Sequence, residues 1–211
     1  MSTTDIPPCL SGPEMLQEQF IPDHVFLYVT KGTITGYDGN KSYTIKSGQY
    51  CLARKNRLAR YHNEEGTGFE RIIFCFEEAF IRDFQKKYQL TTARPTFTDT
   101  FVEIPPTEMI SDFIRSLKPY TDGSGKINAA FEDVKYEELM LILLQNQPEL
   151  AGIFFDYARP EKINLEEFMN RNYKFNVRME RFAYLTGRSL SALAFKNLFG
   201  LRPTELADKK P

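Results

Sequence analysis

Between Phe20 and Phe76 the apolar residues come in short runs broken by turn formers, the spacing of strands rather than helices. His24 to Thr30 (HVFLYVT) is rich in β-branched and aromatic residues and stops at Lys31-Gly32, which predicts a strand. Thr33 to Tyr37 and Ser42 to Ile45 flank Asp38-Gly39-Asn40; an Asp-Gly step supplies the positive φ angles of a tight hairpin. Ser47-Gly48 turns the chain into Gln49 to Arg54, and after a polar loop Phe69 to Phe76 (FERIIFCF) reads as a buried strand. Short strands with turns at close intervals predict an antiparallel sandwich or barrel.

The period changes at Glu77. Phe80, Ile81, Phe84 and Tyr88 recur at helical spacing, and Met109, Ile110, Phe113, Ile114 and Leu117 mark a second helix after Pro105-Pro106. A loop, Thr121 to Lys126, precedes a longer helix from about Asn128 to Asn146, which Pro148 stops. Its Leu139, Ile142, Leu143 and Leu144 exceed what a surface helix requires, so they either pack on the strands or form a subunit interface. Ile153, Phe154, Phe155 and Tyr157 make the stretch from Glu149 to Pro160 too apolar for a solvated linker, so it is expected to lie against a domain surface. Beyond Pro160 the order is helix (about Ile163 to Arg171), helix (Val177 to Leu185), a turn at Thr186-Gly187-Arg188, and helix (Ser189 to Phe199). Gly187 suits the left-handed end of one helix and Ser189 the cap of the next. Gly200 and Pro203 close the last.

Charge divides the chain where periodicity does. From Glu161 onward ten Lys/Arg stand against six Asp/Glu, a balance of +4, which leaves 17 against 22, or −5, for the first 160 residues. A basic tail behind an acidic body suits an arrangement in which only the tail approaches phosphate, because affinity for nucleic acid comes largely from Lys and Arg displacing counterions. No apolar run reaches membrane-helix length. The N-terminus lacks the basic start and apolar core of a secretory signal, so the expected compartment is the cytoplasm. Cys9, Cys51 and Cys75 are odd in number and lack CxxC spacing, which argues for simple thiols over a disulfide framework or zinc site.

Two helices joined by a short Gly-containing turn fit a helix-turn-helix, whose second helix enters the major groove. Met179, Phe182, Ala183 and Leu185 supply an apolar interior, while Arg178, Arg181, Arg188, Lys196 and Arg202 are available for phosphates. The plain alternative is that these cations only solvate helices. The run NLEEFMNRNYKFNVRMERFAYLTGRSLS resembles the opening of an AraC/XylS DNA-binding domain of the Bacteroidetes type, and FKNLFGLRPTEL resembles its recurring recognition-helix end, glycine and proline. The front of the chain, IPDHVFLYVTKGTITGYDGNKSYTIKSGQYCLARKN, is similar to that family's N-terminal domain. The resemblance implies a cupin-like barrel that senses an effector or mediates association, followed by a domain that binds promoters. Two departures stand out. The family carries two helix-turn-helix units joined by a long helix, and only one fits between Pro160 and Pro211. Ser191 and Leu193 also stand where the family has an apolar residue and often Arg. The stretch Leu193 to Phe199 resembles the end of the second unit and Gly187 to Ser191 the first, as if an internal deletion had joined them; a divergent single unit is the alternative.

Metal-dependent cupin chemistry is the competing class and needs several converging His and carboxylate ligands. Here His24 and His62 stand at unrelated positions, and no phosphate loop, nucleophile elbow or Cys/His pair appears. The expectation is therefore a protein without metal, cofactor or catalytic residues. The predicted class is α+β: a cupin-like antiparallel β-barrel with following helices over 1–148, a linker over 149–160, and a small all-α, partial helix-turn-helix domain over 161–211. Double-stranded DNA is the expected partner, with Arg178, Arg181, Arg188, Ser189, Ser191, Ala192 and Lys196 as contact residues. An effector, small molecule or protein, and a homodimer are expected too. Tyr28, Tyr37, Tyr43, Phe74 and Phe76 are the candidate pocket lining, although aromatic strand residues are first of all core. The rival reading is an effector-binding or interaction module that has lost competent DNA binding.

Overall fold

The computed structural model describes residues 19–63, 69–91, 97–121, 127–158, 160 and 163–188. The strands run β1 (Phe20–Ile21), β2 (His24–Lys31), β3 (Thr33–Tyr37), β4 (Ser42–Lys46), β5 (Tyr50–Ala53), β6 (Arg57–Leu58), β7 (Arg60–Asn63) and β8 (Glu70–Phe76). Helix α1 (Glu78–Lys87), strand β9 (Phe101–Ile104) and helices α2 (Glu108–Ser116), α3 (Ala129–Asn146), α4 (Ala151–Phe154), α5 (Leu165–Asn172) and α6 (Met179–Leu185) follow.

All pairings are antiparallel, in three sheets ordered β8-β2-β5-β9, β4-β3-β7 and β1-β6. The predicted hairpin forms where the Asp-Gly step stands. Gly39 takes φ +95°, and Asp38 Oδ1 accepts from the N–H groups of Asn40 (2.9 Å) and Lys41 (2.8 Å), so the turn is closed by its own first side chain.

The barrel expectation needs correction: among the described residues the sheets do not close on themselves, and each ends in unpaired edges. The two larger sheets instead face each other across a core that includes Val25, Leu27, Val29, Ile34, Ile45, Ala53, Ile73 and Phe101. The reason is visible at β9. Phe101 projects from the edge of one sheet against Gly36 of the other, where an added Cβ would lie 2.9 Å from the ring. Tyr43 and Tyr61 flank that ring at 4.9 and 5.8 Å. Side-chain packing, not a hydrogen-bonded seam, joins the sheets there; a glycine inside a strand is what permits the approach.

The opposite face of the β8-β2-β5-β9 sheet carries a second core, in which Phe26, Leu52, Phe74 and Phe76 meet α1, α2 and α3. Strand residues on it are buried alternately toward the two cores, as the period of two requires. Leu139, Ile142 and Leu143 of α3 belong to this core. So do Leu150, Ile153, Phe154 and Phe155, which makes the stretch expected to join two domains part of the main packing. Phe131, Val134 and Leu141 of α3 remain exposed. Cys51 is a buried free thiol whose pKa burial pushes up to about 12, whereas Cys75 is disulfide-bonded, a departure from the expectation of simple thiols. No helix among the described residues is long and apolar enough to cross a membrane.

Candidate effector cavity and helical interface

Helices α5 and α6 form one unit with the sheet side of the molecule. Asn164 caps α5 by accepting from the Glu167 N–H at 3.2 Å, and Glu166 and Glu167 in the first turn suit the positive end of the helix dipole. Leu165, Met169, Phe175 and Phe182 are buried together with Phe20 of β1 and Leu58 of β6. Each such side chain contributes roughly 1.5–3 kcal/mol when taken out of water. Around this core Tyr37 stacks on Phe175 (6.2 Å, 6° between planes) and the Arg60 guanidinium lies 5.0 Å from the Phe175 ring. The Gln19 N–H donates to the Asn176 carbonyl at 2.8 Å, and Asn56 Nδ2 to the Tyr184 hydroxyl at 3.1 Å. Thr186 is fully buried and its hydroxyl donates to the Phe182 carbonyl (2.8 Å), closing α6 before Gly187 turns at φ +63°.

Gly39 sits under this interface. A Cβ there would lie 2.8 Å from Asn172 Oδ1 and 3.0 Å from the Phe175 ring. Gly48 has a similar positive φ, +86°, with nothing near it. Gly39→Ala is therefore expected to cost more than Gly48→Ala. The latter pays only the left-handed strain of about 1–2 kcal/mol, and the excess reads the docking of α5. Thermal unfolding of the two variants checks this; equal losses would show that the contact yields freely.

The sequence-predicted DNA contacts fall unevenly on this frame. Arg178 stands exposed at the N-cap of α6. The Arg181 guanidinium lies 4.4 Å from the ring of Phe20, and Arg188 Nη2 donates to the Ile163 carbonyl at 3.2 Å. Ser189, Ser191, Ala192 and Lys196 lie outside the described residues.

The five aromatic candidates occupy different environments. Phe74 and Phe76 are core beneath the helices, and Tyr28 stacks on Tyr50 at 4.6 Å at the margin of the same layer. Tyr43 donates to Asp38 Oδ2 at 2.9 Å between the sheets, and Tyr37 belongs to the α5 contact. The structure gathers them into no single cavity among the described residues.

A cavity of about 250 Å³ lies elsewhere, where the β5–β6 turn meets the stretch after α4 and the end of α6. Its walls include His24, Arg54, Lys55, Arg57, Asp156 and Leu185. The turn is shaped by Asn56 at φ +59°, a conformation Asn tolerates better than most residues, and by the Asn56 N–H donating to the Ile21 carbonyl at 2.7 Å. Arg54 is largely buried; its Nη1 donates to the carbonyls of Phe97 (2.8 Å) and Asp99 (3.3 Å), and burial lowers its pKa to about 10. Lys55 pairs with Glu78 at 2.9 Å.

His24 is 2% exposed. Its Nδ1 accepts from the Lys55 N–H at 3.2 Å, so in the neutral ring the proton sits on Nε2. Nε2 has the Ile153 carbonyl near enough to favour the charged ring slightly, yet reaches hydrogen-bond geometry with no group among the described residues. A buried donor left so costs about 1–3 kcal/mol. Burial first, and then the charges of Lys55, Arg54 and Arg57, push its pKa well below the usual imidazole value. His62 is exposed on β7, so the two histidines stand apart. Sequence reasoning missed the cavity, although the basic run ARKNRLAR (residues 53–60) was its one local signal.

The family model described as the ExsA N-terminal regulatory domain matches residues 24–153, and the chain belongs to that family. No curated protein matches the sequence. Among solved structures, apo ToxT K231A from Vibrio cholerae strain SCE256 is similar over 90% of this chain and 72% of its own, with TM-score 0.51 and 14% identity. Unsaturated fatty acid-bound wild-type ToxT from that strain aligns over 90% and 70%, with TM-score 0.43 and 12% identity. At such identities the first likeness shows the fold.

Proposed function

We propose that the chain is a sequence-specific DNA-binding transcription regulator of the AraC/XylS type, without enzymatic activity, acting in the cytoplasm. In this reading a cupin-derived, opened sandwich senses an effector, and residues 161–211 are a shortened helix-turn-helix domain. The observation that carries the reading is the match of residues 24–153 to a regulatory-domain family, followed by a helical pair, its first helix capped by Asn164, that ends at Gly187 where a recognition helix is expected to begin. Arg178, Arg181, Arg188, Ser189, Ser191, Ala192 and Lys196 are proposed as the DNA-facing set.

In this reading a single helix-turn-helix over 161–211 relies on a dimer to span two half-sites about one helical turn apart. The expected result is weak binding that falls steeply with salt and discriminates little among sequences. Titration of fluorescent operator and scrambled duplexes at two salt concentrations tests this. A specificity ratio above roughly a thousand would mark a fully competent reader, and equal binding would mark a damaged one. A second reading, an interaction module that has lost DNA binding, is favoured by Arg181 and Arg188, both engaged within the chain; no binding even at low salt would establish it.

For the homodimer, the proposed surface is the exposed stripe Phe131, Val134 and Leu141 on α3. Sedimentation is expected to show self-association at tens of micromolar, on the order at which modest interfaces populate, and Val134→Glu to abolish it. A wild-type monomer throughout that range would remove the stripe from consideration.

A further inference from the structure

We infer that the cavity between the β5–β6 turn and the end of α6 is a binding site for a compact anion carrying two or more negative charges, a small polycarboxylate or a phosphorylated metabolite. The inference rests on the regulator reading for its biological sense and on the cavity alone for its chemistry.

Among the described residues three cations, Arg54, Lys55 and Arg57, line the space against one carboxylate, Asp156. Lys55 is committed to Glu78, and Asp156 Oδ1 already accepts from the Ala158 N–H at 3.0 Å. Among the described residues Arg57 makes no ion pair, and Arg54 engages only Nη1 of its guanidinium. The charge that remains is therefore positive and held by two planar forks, the donors suited to carboxylate and phosphate oxygens. His24 adds the third element. Its buried Nε2–H reaches hydrogen-bond geometry with no acceptor among the described residues, the Ile153 carbonyl standing near it, and the Lys55 N–H on Nδ1 fixes that tautomer. A neutral donor in the same wall as two guanidinium groups recognises an oxyanion without adding another charge to desolvate.

Size sets the other limit. About 250 Å³ with only Ile153, Ala158, Pro160 and Leu185 as apolar wall accepts a compact polar ligand and gives a long alkyl chain nowhere to lie. Because Leu185 belongs to α6 and Arg54 and Arg57 to the sheet side, a bound anion touches both parts of the molecule.

The test uses the full chain, at constant ionic strength, titrated calorimetrically with citrate, inorganic phosphate and oleate. Saturable binding of citrate or phosphate below about 10 mM is expected, with affinity falling about tenfold, one lost charge-assisted hydrogen bond, in Arg57→Gln and in His24→Asn. Asparagine at position 24 keeps an acceptor for the Lys55 N–H and removes the Nε2–H, and Arg57 is exposed, so at least one variant folds. Lys46→Gln on distant β4 should leave binding unchanged. Citrate alone binding identifies the polycarboxylate source and phosphate alone the phosphoryl source. No saturable binding of either, undiminished binding in both cavity variants, or tighter binding of oleate overturns the inference. The duplex titration is independent: anion binding lost with DNA binding kept rejects the cavity, and the converse rejects the DNA-binding reading.

Discussion

Replacing Phe74 by alanine should cost about 3–5 kcal/mol, the range for removing a large aromatic side chain from a packed interior. Phe74 is 1% exposed, and its ring meets Phe26 at 6.4 Å, Phe113 of α2 at 5.6 Å and Tyr136 of α3 at 5.0 Å. It joins the β8-β2-β5-β9 sheet to two helices, so the space left by truncation is walled by three rigid elements and closes poorly. Phe131→Ala is the matched control: that ring is 43% exposed and touches Tyr120 edge-on at 5.0 Å, and it should cost no more than about 1 kcal/mol. Urea unfolding of both variants measures the difference; a Phe74→Ala loss below that of the control would mean that the helices do not share the sheet's core.

The same residue shows how far sequence reasoning reaches. As aromatic strand residues Phe74 and Phe76 read first of all as core and only secondarily as pocket lining, and period alone does not choose, since a pocket wall and a core wall alternate alike. The structure assigns them by what stands opposite, the helices α2 and α3. Helix α3 repeats the lesson. Apolar residues crowd its second half, so no single face is marked, and the exposed stripe through Leu141 is separable from buried Leu139, Ile142 and Leu143 only once its neighbours are known.

Local signals were legible where they act locally. The Asp38-Gly39 hairpin, the start of α3 near Asn128 and the Gly187 turn each hold within a few residues. Strands β1, β6 and β7 were not, because Phe-Ile, Arg-Leu and Arg-Tyr-His-Asn are too short or too polar to show alternation and exist through partners tens of residues away. The missing closure of the barrel belongs to the same class: it depends on Phe101 filling the gap over Gly36, a contact 65 positions long. The cavity brings together residues from His24 to Leu185, and nothing in the spacing of single residues announces such a convergence.

Acidification should remove the stability that depends on neutral His24. Protonating the ring places a donor on Nδ1 against the Lys55 N–H that it now accepts, and adds a charge beside Lys55, Arg54 and Arg57 inside a buried site, where Asp156 is the one carboxylate of the cavity wall among the described residues. The folded-state pKa is therefore depressed below the unfolded value near 6.5. A depressed pKa means that the unfolded chain binds the proton first, so the contribution is fully present above about pH 6.5 and is lost as pH falls toward the folded pKa, by up to about 1.4 kcal/mol per pH unit. Other groups also titrate as pH falls. Burial and then Glu77 raise the pKa of Asp23, while hydrogen bonds from Lys55 and Arg82 lower that of Glu78. Comparison with His24→Asn removes those shared terms, since asparagine keeps the acceptor for Lys55 and does not titrate. The variant should be less stable at pH 8, and its deficit should shrink by up to about 2 kcal/mol by pH 5. Denaturant unfolding of both proteins across that interval reads the difference directly: a shrinking gap places the imidazole in a site that holds it neutral, and parallel curves would mean that the ring takes up its proton as readily in the folded chain as in the unfolded one.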